Sequence, residues 1–495
     1  MGRIIVCLAA AAIFCGILPA AAIVASAAPK ADEADEARQP DYGVALSGRC
    51  AEADFWCSVA GERLLGTAED VAALNERLRE AEPSLVRLED LPRAVSRAGL
   101  RRWMEEAAPA RGTWYAPEKP LADAAYAAVV ENCGMEELPL RNTVRYGVAV
   151  RRADLRLLPT EDAWLDTPGD VCYDSLQATA VDPAEPLAVW AESRDGRFFF
   201  VSMRYYRGWL AQEDVALCSR EAWLSYVKPA DFLVVTANRY EAPEAAGGQI
   251  YQLGSRIPLA KRGGVLLARL PQRAADGRLE ELFLPLPYRE GEARDREGAG
   301  EAQAAGRAAA APASLPLHRG FLPYTANNVL RSAFSCLGDV YGWGGQDGSV
   351  DCSSFVADAY RTVGIELPRD ADRQEAAFFG AASDTEPDGR NRAVFPCAVD
   401  LENLSSKART RELLAAPPAS LLFRSGHVML LLGEDEGKPY IIHSLSGCWE
   451  RTPAGIVRRR IRRVLVSDAY FLTGSGGTNL DACTSIGSFV SGEGK

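Results

Sequence analysis

Residues 289–316 carry almost no large apolar side chain and consist mainly of Ala, Gly, Glu and Arg. Such a stretch cannot bury enough apolar surface to hold a fixed packing, so it reads as a linker. It divides the 495-residue chain into parts that must each build their own core. At about 100–200 residues per domain, the length suggests three or four such units. Core residues return after the break and persist from Phe321 to Leu472. Residues 317–473 are therefore expected to form one domain, with 474–495 as a flexible Gly/Ser-rich tail.

Before the break the texture changes again. Residues 41–140 read as a helical segment. Val71, Leu74 and Leu78 recur at helical spacing, and Leu121 to Val130 is rich in Ala. From Thr143 the period shortens. Val144, Tyr146, Val148 and Val150 alternate with other residues, as on a strand. Phe198-Phe199-Phe200-Val201 and Gly208-Trp209-Leu210 are further strands, separated by turn residues such as Pro168-Gly169. Residues 141–222 are thus expected to form a small β-barrel. A second barrel is expected over 223–288, marked by Leu233-Val234-Val235 and Val265-Leu266-Leu267.

The first residues read as an address. Arg3 precedes an uncharged apolar run from Ile4 to Leu18, and Ala25-Ser26-Ala27 offers a cleavage site. Residues 1–27 are expected to be a signal peptide, which makes the mature protein periplasmic or extracellular. The competing reading is a retained anchor, since Ile4 to Ala28 is long enough to span a bilayer; membrane contact is expected only in that case. The net charge of -12 disfavours nucleic acid as a partner. Twelve cysteines fit export, and ten remain once Cys7 and Cys15 leave with the signal. With three histidines and no C-x-x-C pair, neither a metal nor a cofactor is expected.

The chemistry concentrates in the last domain. Asp351-Cys352-Ser353-Ser354-Phe355 follows Tyr341-Gly-Trp-Gly-Gly, and Phe355, Val356, Ala359, Tyr360 and Val363 form one apolar stripe. This places Cys352 in the first turn of a helix, where free N–H groups favour a thiolate. The plainer reading is a small buried Cys with Asp351 as an N-cap. Downstream, Gly426-His427-Val428-Met429 and Tyr440-Ile441-Ile442-His443 read as two strands of a hairpin. If Leu432 opposes Tyr440, His443 faces Met429, and His427 lies diagonally on the same face, about 7–8 Å away at the backbone. A slip of one residue would send the two imidazoles to opposite faces. One His can then take the thiol proton while a second polar group fixes its tautomer.

These residues resemble the NlpC/P60 family of cell-wall cysteine peptidases. The matching pieces are Tyr341-Gly-Trp-Gly-Gly, Asp351-Cys352-Ser353, Leu367-Pro368-Arg369 with Gln374, Gly426-His427-Val428 and Ile442-His443-Ser444. The resemblance implies a papain-like α+β domain with Cys352 as nucleophile, His427 as base and His443 as orienting residue. It is similar to members with a helical N-terminal segment and two SH3-like barrels that cut γ-D-glutamyl-L-diamino acid bonds of muropeptides. It implies further that Asp351 binds a free L-Ala amine, with Tyr341 and Ser353 assisting. Tyr205, Tyr206 and Glu161 are candidate barrel contacts. Many members carry Gly-Asp where this chain has Ala419-Ser420, which points to a local change of turn. Two other functions compete: a catalytically silent wall-binding protein, and a cysteine amidase or acyltransferase on the same fold.

Overall fold

The computed structural model describes residues 47–290, 315–382 and 394–491. The expected signal peptide and most of the expected linker lie outside the described residues. Among the described residues, no helix is long and apolar enough to cross a membrane.

The first β module is built from seven antiparallel strands, in the order Val215–Cys218, Arg145–Ala149, Pro186–Glu192, Phe198–Ser202, Arg207–Ala211, Ala153–Arg156 and Gln177–Val181. Its strand Phe198–Ser202 is buried on both faces. Phe199 and Val201 point into the barrel with Leu155, Leu187 and Leu210. Phe198 and Phe200 point outward against Leu100, Met104 and Trp190. Two-sided burial explains a continuous apolar run where alternation would otherwise be expected. Each fully buried Phe contributes about 2 kcal/mol.

The segment 41–140, expected as one helical domain, is divided between two neighbours. Ala53–Ala60 and Ala68–Ala81 pack on the C-terminal domain, against Ala326–Phe334 and Ala371–Ala382 respectively. Trp56, Leu74 and Leu78 share a core with Cys352. Thr67 and Asp70 start the second helix with a reciprocal capping box. Arg97–Ala107 instead lies on the first barrel, where Trp103 meets Trp190 edge-on. Sequence periodicity finds such helices but not the body that receives their apolar faces.

The second module is a five-stranded antiparallel sheet with a boundary that differs from expectation. Four strands precede the linker: Leu279–Leu284, Val265–Arg273, Arg256–Arg262 and Phe232–Val235. The fifth, Leu317–Arg319, follows it and pairs Val234 with His318 and Val235 with Leu317. Residues 317–319 thus belong to this sheet and not to the next domain. At three residues the strand is too short for a periodicity signal.

The C-terminal domain packs helices on a six-stranded antiparallel sheet, ordered Val394–Asp400, Cys483–Ser491, Leu421–Arg424, His427–Asp435, Lys438–Thr452 and Gly455–Asp468. The helices Cys352–Arg361, Ala326–Phe334 and Ala371–Ala382 cover one face. The helix Ser406–Ala415 and residues 469–480 cover the other. The strand Cys483–Ser491 overturns the expectation of a flexible tail over 474–495. It lies inside the sheet, hydrogen-bonded on both edges, with Ile486 and Phe489 buried. Its small residues serve packing: a Cβ on Gly487 would come within 2.8 Å of the Phe378 ring.

Candidate active site

The helix that carries the candidate nucleophile begins as the sequence requires. Asp351 caps Cys352–Arg361, accepting from the Ser354 amide at 2.9 Å while Ser354 Oγ accepts from the Asp351 amide at 3.0 Å. Gly364, at φ 85°, stops the chain beyond it in a conformation that favours glycine. The helix start abuts the strand of His427, so the Cys352 thiol lies 4.0 Å from the Gly426 carbonyl oxygen. The Val428 amide also reaches it, so the thiol sits against the backbone on both sides of His427.

The hairpin register places both imidazoles on one face. Leu430 pairs with Ile442 and Leu431 with Ile441, whereas a bulge brings Gly433 rather than Leu432 opposite Tyr440. At the histidine end the spacing is therefore the diagonal one. His427 Nε2 and His443 Nδ1 are 2.9 Å apart, and His443 Nε2 is 3.1 Å from Ser467 Oγ. The network assigns the protons. If His427 Nδ1 is to accept from the thiol, its Nε2–H donates to His443 Nδ1. His443 Nε2–H then donates to Ser467.

Ser467 is a member that sequence reading missed. It sits on the strand Gly455–Asp468, opposite Ile441 and two positions from the partner of His443. Only the pairing of that third strand reveals it.

Burial dominates the electrostatics. Burial pushes the Cys352 thiol up to about 12, and the Asp351 carboxylate adds to this. The helix start does not offset these two effects, contrary to the thiolate expected from the dipole alone. Burial holds His427 well below the usual imidazole range, helped by the Arg424 charge, and lowers His443 to about 3. At rest these shifts favour a neutral thiol and a neutral imidazole. Ultraviolet thiolate absorbance, compared between wild type and Cys352→Ser, should show no difference at neutral pH and should emerge only in strong alkali. A thiolate signal at neutral pH would mean that an ion pair forms instead.

Asp351 is more than a cap. Its carboxylate takes Arg369 Nη1 at 3.0 Å and Nη2 at 2.6 Å. It also accepts from the Gly344 amide at 3.0 Å and from Ser353 Oγ at 3.2 Å. Burial would raise its pKa, but the Arg369 charge and these hydrogen bonds hold it below the usual carboxylate value. Arg369 Nε continues to Thr179 of the first barrel at 2.8 Å. Gln374 steadies the same corner by donating to the carbonyls of Ser353 and Pro368 at 3.0 and 2.8 Å. Tyr341 is buried beside Cys352 and Asp351, which keeps its phenol protonated as a donor.

The barrel reaches this corner through residues that the sequence did not single out. Tyr173 lies against the rings of Tyr341 and Trp343, and Trp343 Nε1 donates to the Asp174 carbonyl at 3.1 Å. The paired glycines of Tyr341-Gly-Trp-Gly-Gly make the approach possible. A Cβ on Gly344 or Gly345 would come within 2.6 Å of Gln177 or Ala180. Of the candidate barrel contacts, Tyr206 donates to Asp370 at 2.7 Å, next to Arg369. Tyr205 is packed near the barrel–domain boundary, and Glu161 pairs with the exposed Arg197. Ala419, at the turn where the sequence departs from the Gly-Asp of many members, holds φ 68°, a conformation that costs a non-glycine residue about 1 kcal/mol. All ten described cysteines are free thiols.

Residues 338–447 match the NlpC/P60 family model, and residues 165–211 match the SH3 domain of the SH3b1 type. The second match falls within the first barrel and includes Tyr173. Among solved structures, the chain is similar to an NlpC/P60 endopeptidase from Photobacterium damselae subsp. piscicida. That likeness has 15% identity and a TM-score of 0.64, and covers 90% of this chain and 97% of that one. It is also similar to an NlpC/P60 family protein from Bacillus cereus ATCC 10987, at 15% identity and a TM-score of 0.39, covering 69% of this chain and 98% of that one. No curated protein matches the sequence.

Proposed function

We propose that this chain, an NlpC/P60 cysteine peptidase with an SH3b domain, hydrolyses the amide between the γ-carboxyl of D-Glu and a diamino acid in peptidoglycan stem peptides. The preferred stems carry a free L-Ala amine, and the enzyme works outside the cytoplasm. The observation that supports this reading is the thiol of Cys352, set at a helix start against the backbone of Gly426 and Val428 on either side of His427, whose imidazole heads the His427–His443–Ser467 chain. His427 Nδ1 takes the thiol proton as sulfur attacks the amide carbonyl. It then delivers that proton to the leaving amine, which departs and leaves a thioester on Cys352. Water, deprotonated by His427, hydrolyses the thioester and restores the thiol.

Asp351, Ser353 and Tyr341 form the proposed binding set for the acyl side. Because Asp351 already holds Arg369, its role toward an ammonium group rests on the family resemblance. The test is incubation with L-Ala-γ-D-Glu-diaminopimelate and mass analysis. Release of free diaminopimelate supports the bond assignment, and intact peptide removes it. N-acetylation of the L-Ala should abolish most turnover, whereas equal rates would remove the amine preference and leave the bond assignment in place.

A further inference from the structure

Arg424 is a cation beside His427 with no counter-ion among the described residues. It ends the strand Leu421–Arg424 and pairs directly with His427 across the two-residue turn Ser425-Gly426. On its other edge it pairs with Cys483. Directly paired residues share a sheet face, so Arg424 and His427 stand side by side, with Cβ atoms about 5 Å apart. The side chain is half-buried, and its Nε is sealed from water with no hydrogen-bond partner.

Other buried arginines behave differently. Arg369 holds Asp351, Arg156 holds Asp174, and Arg361 holds Asp358. Arg409 donates to backbone carbonyls. Among the described residues, Arg424 has neither a carboxylate nor a hydrogen-bond acceptor. An uncompensated charge in such a place is costly. It also works against the chemistry of the free site, because its field opposes protonation of both His427 and His443. An anion delivered by the substrate would relieve both effects.

Reaction geometry says which part of the substrate lies there. His427 gives its proton to the departing nitrogen, so the leaving amino acid must sit on the His427 side of the scissile bond. Building on the peptidase reading above, we propose that Arg424 binds a free carboxylate of that leaving amino acid and sets the specificity for it. The matching substrate class is a diamino acid with an unamidated carboxylate, held through a charge-assisted contact to the guanidinium.

The experiment compares two peptides, L-Ala-γ-D-Glu-diaminopimelate and the same peptide with the diaminopimelate carboxyls converted to carboxamides. Wild type should cleave the free acid with kcat/KM about 100-fold higher. In Arg424→Gln that ratio should collapse to within about threefold, and Arg424→Lys should restore part of it, because the charge returns without the fork. Equal wild-type rates on the two peptides overturn the Arg424 assignment without needing any variant to fold, and leave the peptidase reading standing. A full preference retained by a folded Arg424→Gln overturns it as well. Failure to cleave either peptide overturns the peptidase reading beneath it.

Discussion

Cys352→Ala should lower kcat by about 10⁴–10⁶-fold while leaving the apparent Tm within about a degree of wild type. The loss is large because the acyl-enzyme route has no other nucleophile: the remaining thiols are structural packing groups or lie elsewhere in the fold. Stability is spared because the thiol makes only weak sulfur contacts, with the Gly426 carbonyl at 4.0 Å and with the Val428 amide. His427→Ala should cost nearly as much activity, since nucleophile and base act as a unit. His443→Ala should cost less, because water can replace part of the 2.9 Å contact that orients His427. Turnover by purified Cys352→Ala at more than a hundredth of the wild-type rate would require a different nucleophile.

Asp351→Asn should cost about 3 kcal/mol of stability, seen as a drop of several degrees in the apparent Tm. Asn caps a helix about as well as Asp, so the cap alone predicts no change. The difference lies in Arg369. One Asp351 oxygen receives Ser353 Oγ, the Ser354 amide and Arg369 Nη1, and the other receives the Gly344 amide and Arg369 Nη2. Every partner is a donor, so either placement of the Asn NH₂ sets donor against donor and leaves a buried guanidinium undercompensated. Adding Arg369→Gln should recover part of the loss, because the stranded charge goes with it; a double-mutant cycle measures this coupling. Asp351→Asn with wild-type stability and a selective loss of kcat/KM on free stems would instead mean that the carboxylate is held for the substrate amine.

What the sequence revealed was local. The capped helix at Cys352 follows from a pattern within about ten residues, and the diagonal placement of His427 and His443 from a single hairpin. What it concealed depends on long-range contacts. Ser467 joins the site only through a third strand. Thr179 meets Arg369 only because a barrel docks against the peptidase domain. The resting thiol departs from the dipole argument for the same reason, since burial is set by the whole domain and outweighs the helix end. Cys483–Ser491 escaped because Gly and Ser signal a loop unless the Phe378 ring above Gly487 is known.

The strand Leu317–Arg319 joins a sheet whose other members all come before residue 289. The two sides of the break are consequently held by more than the covalent chain. A single proteolytic nick between residues 291 and 314 would leave both fragments in one particle, bound through the Val234–His318 and Val235–Leu317 pairing and the first barrel's grip on the glycine turn. Size under native conditions would then stay that of the intact protein, while a denaturing gel would show two bands. By the same logic the gene can be divided at this point, and the two polypeptides can reassemble into one enzyme when produced together.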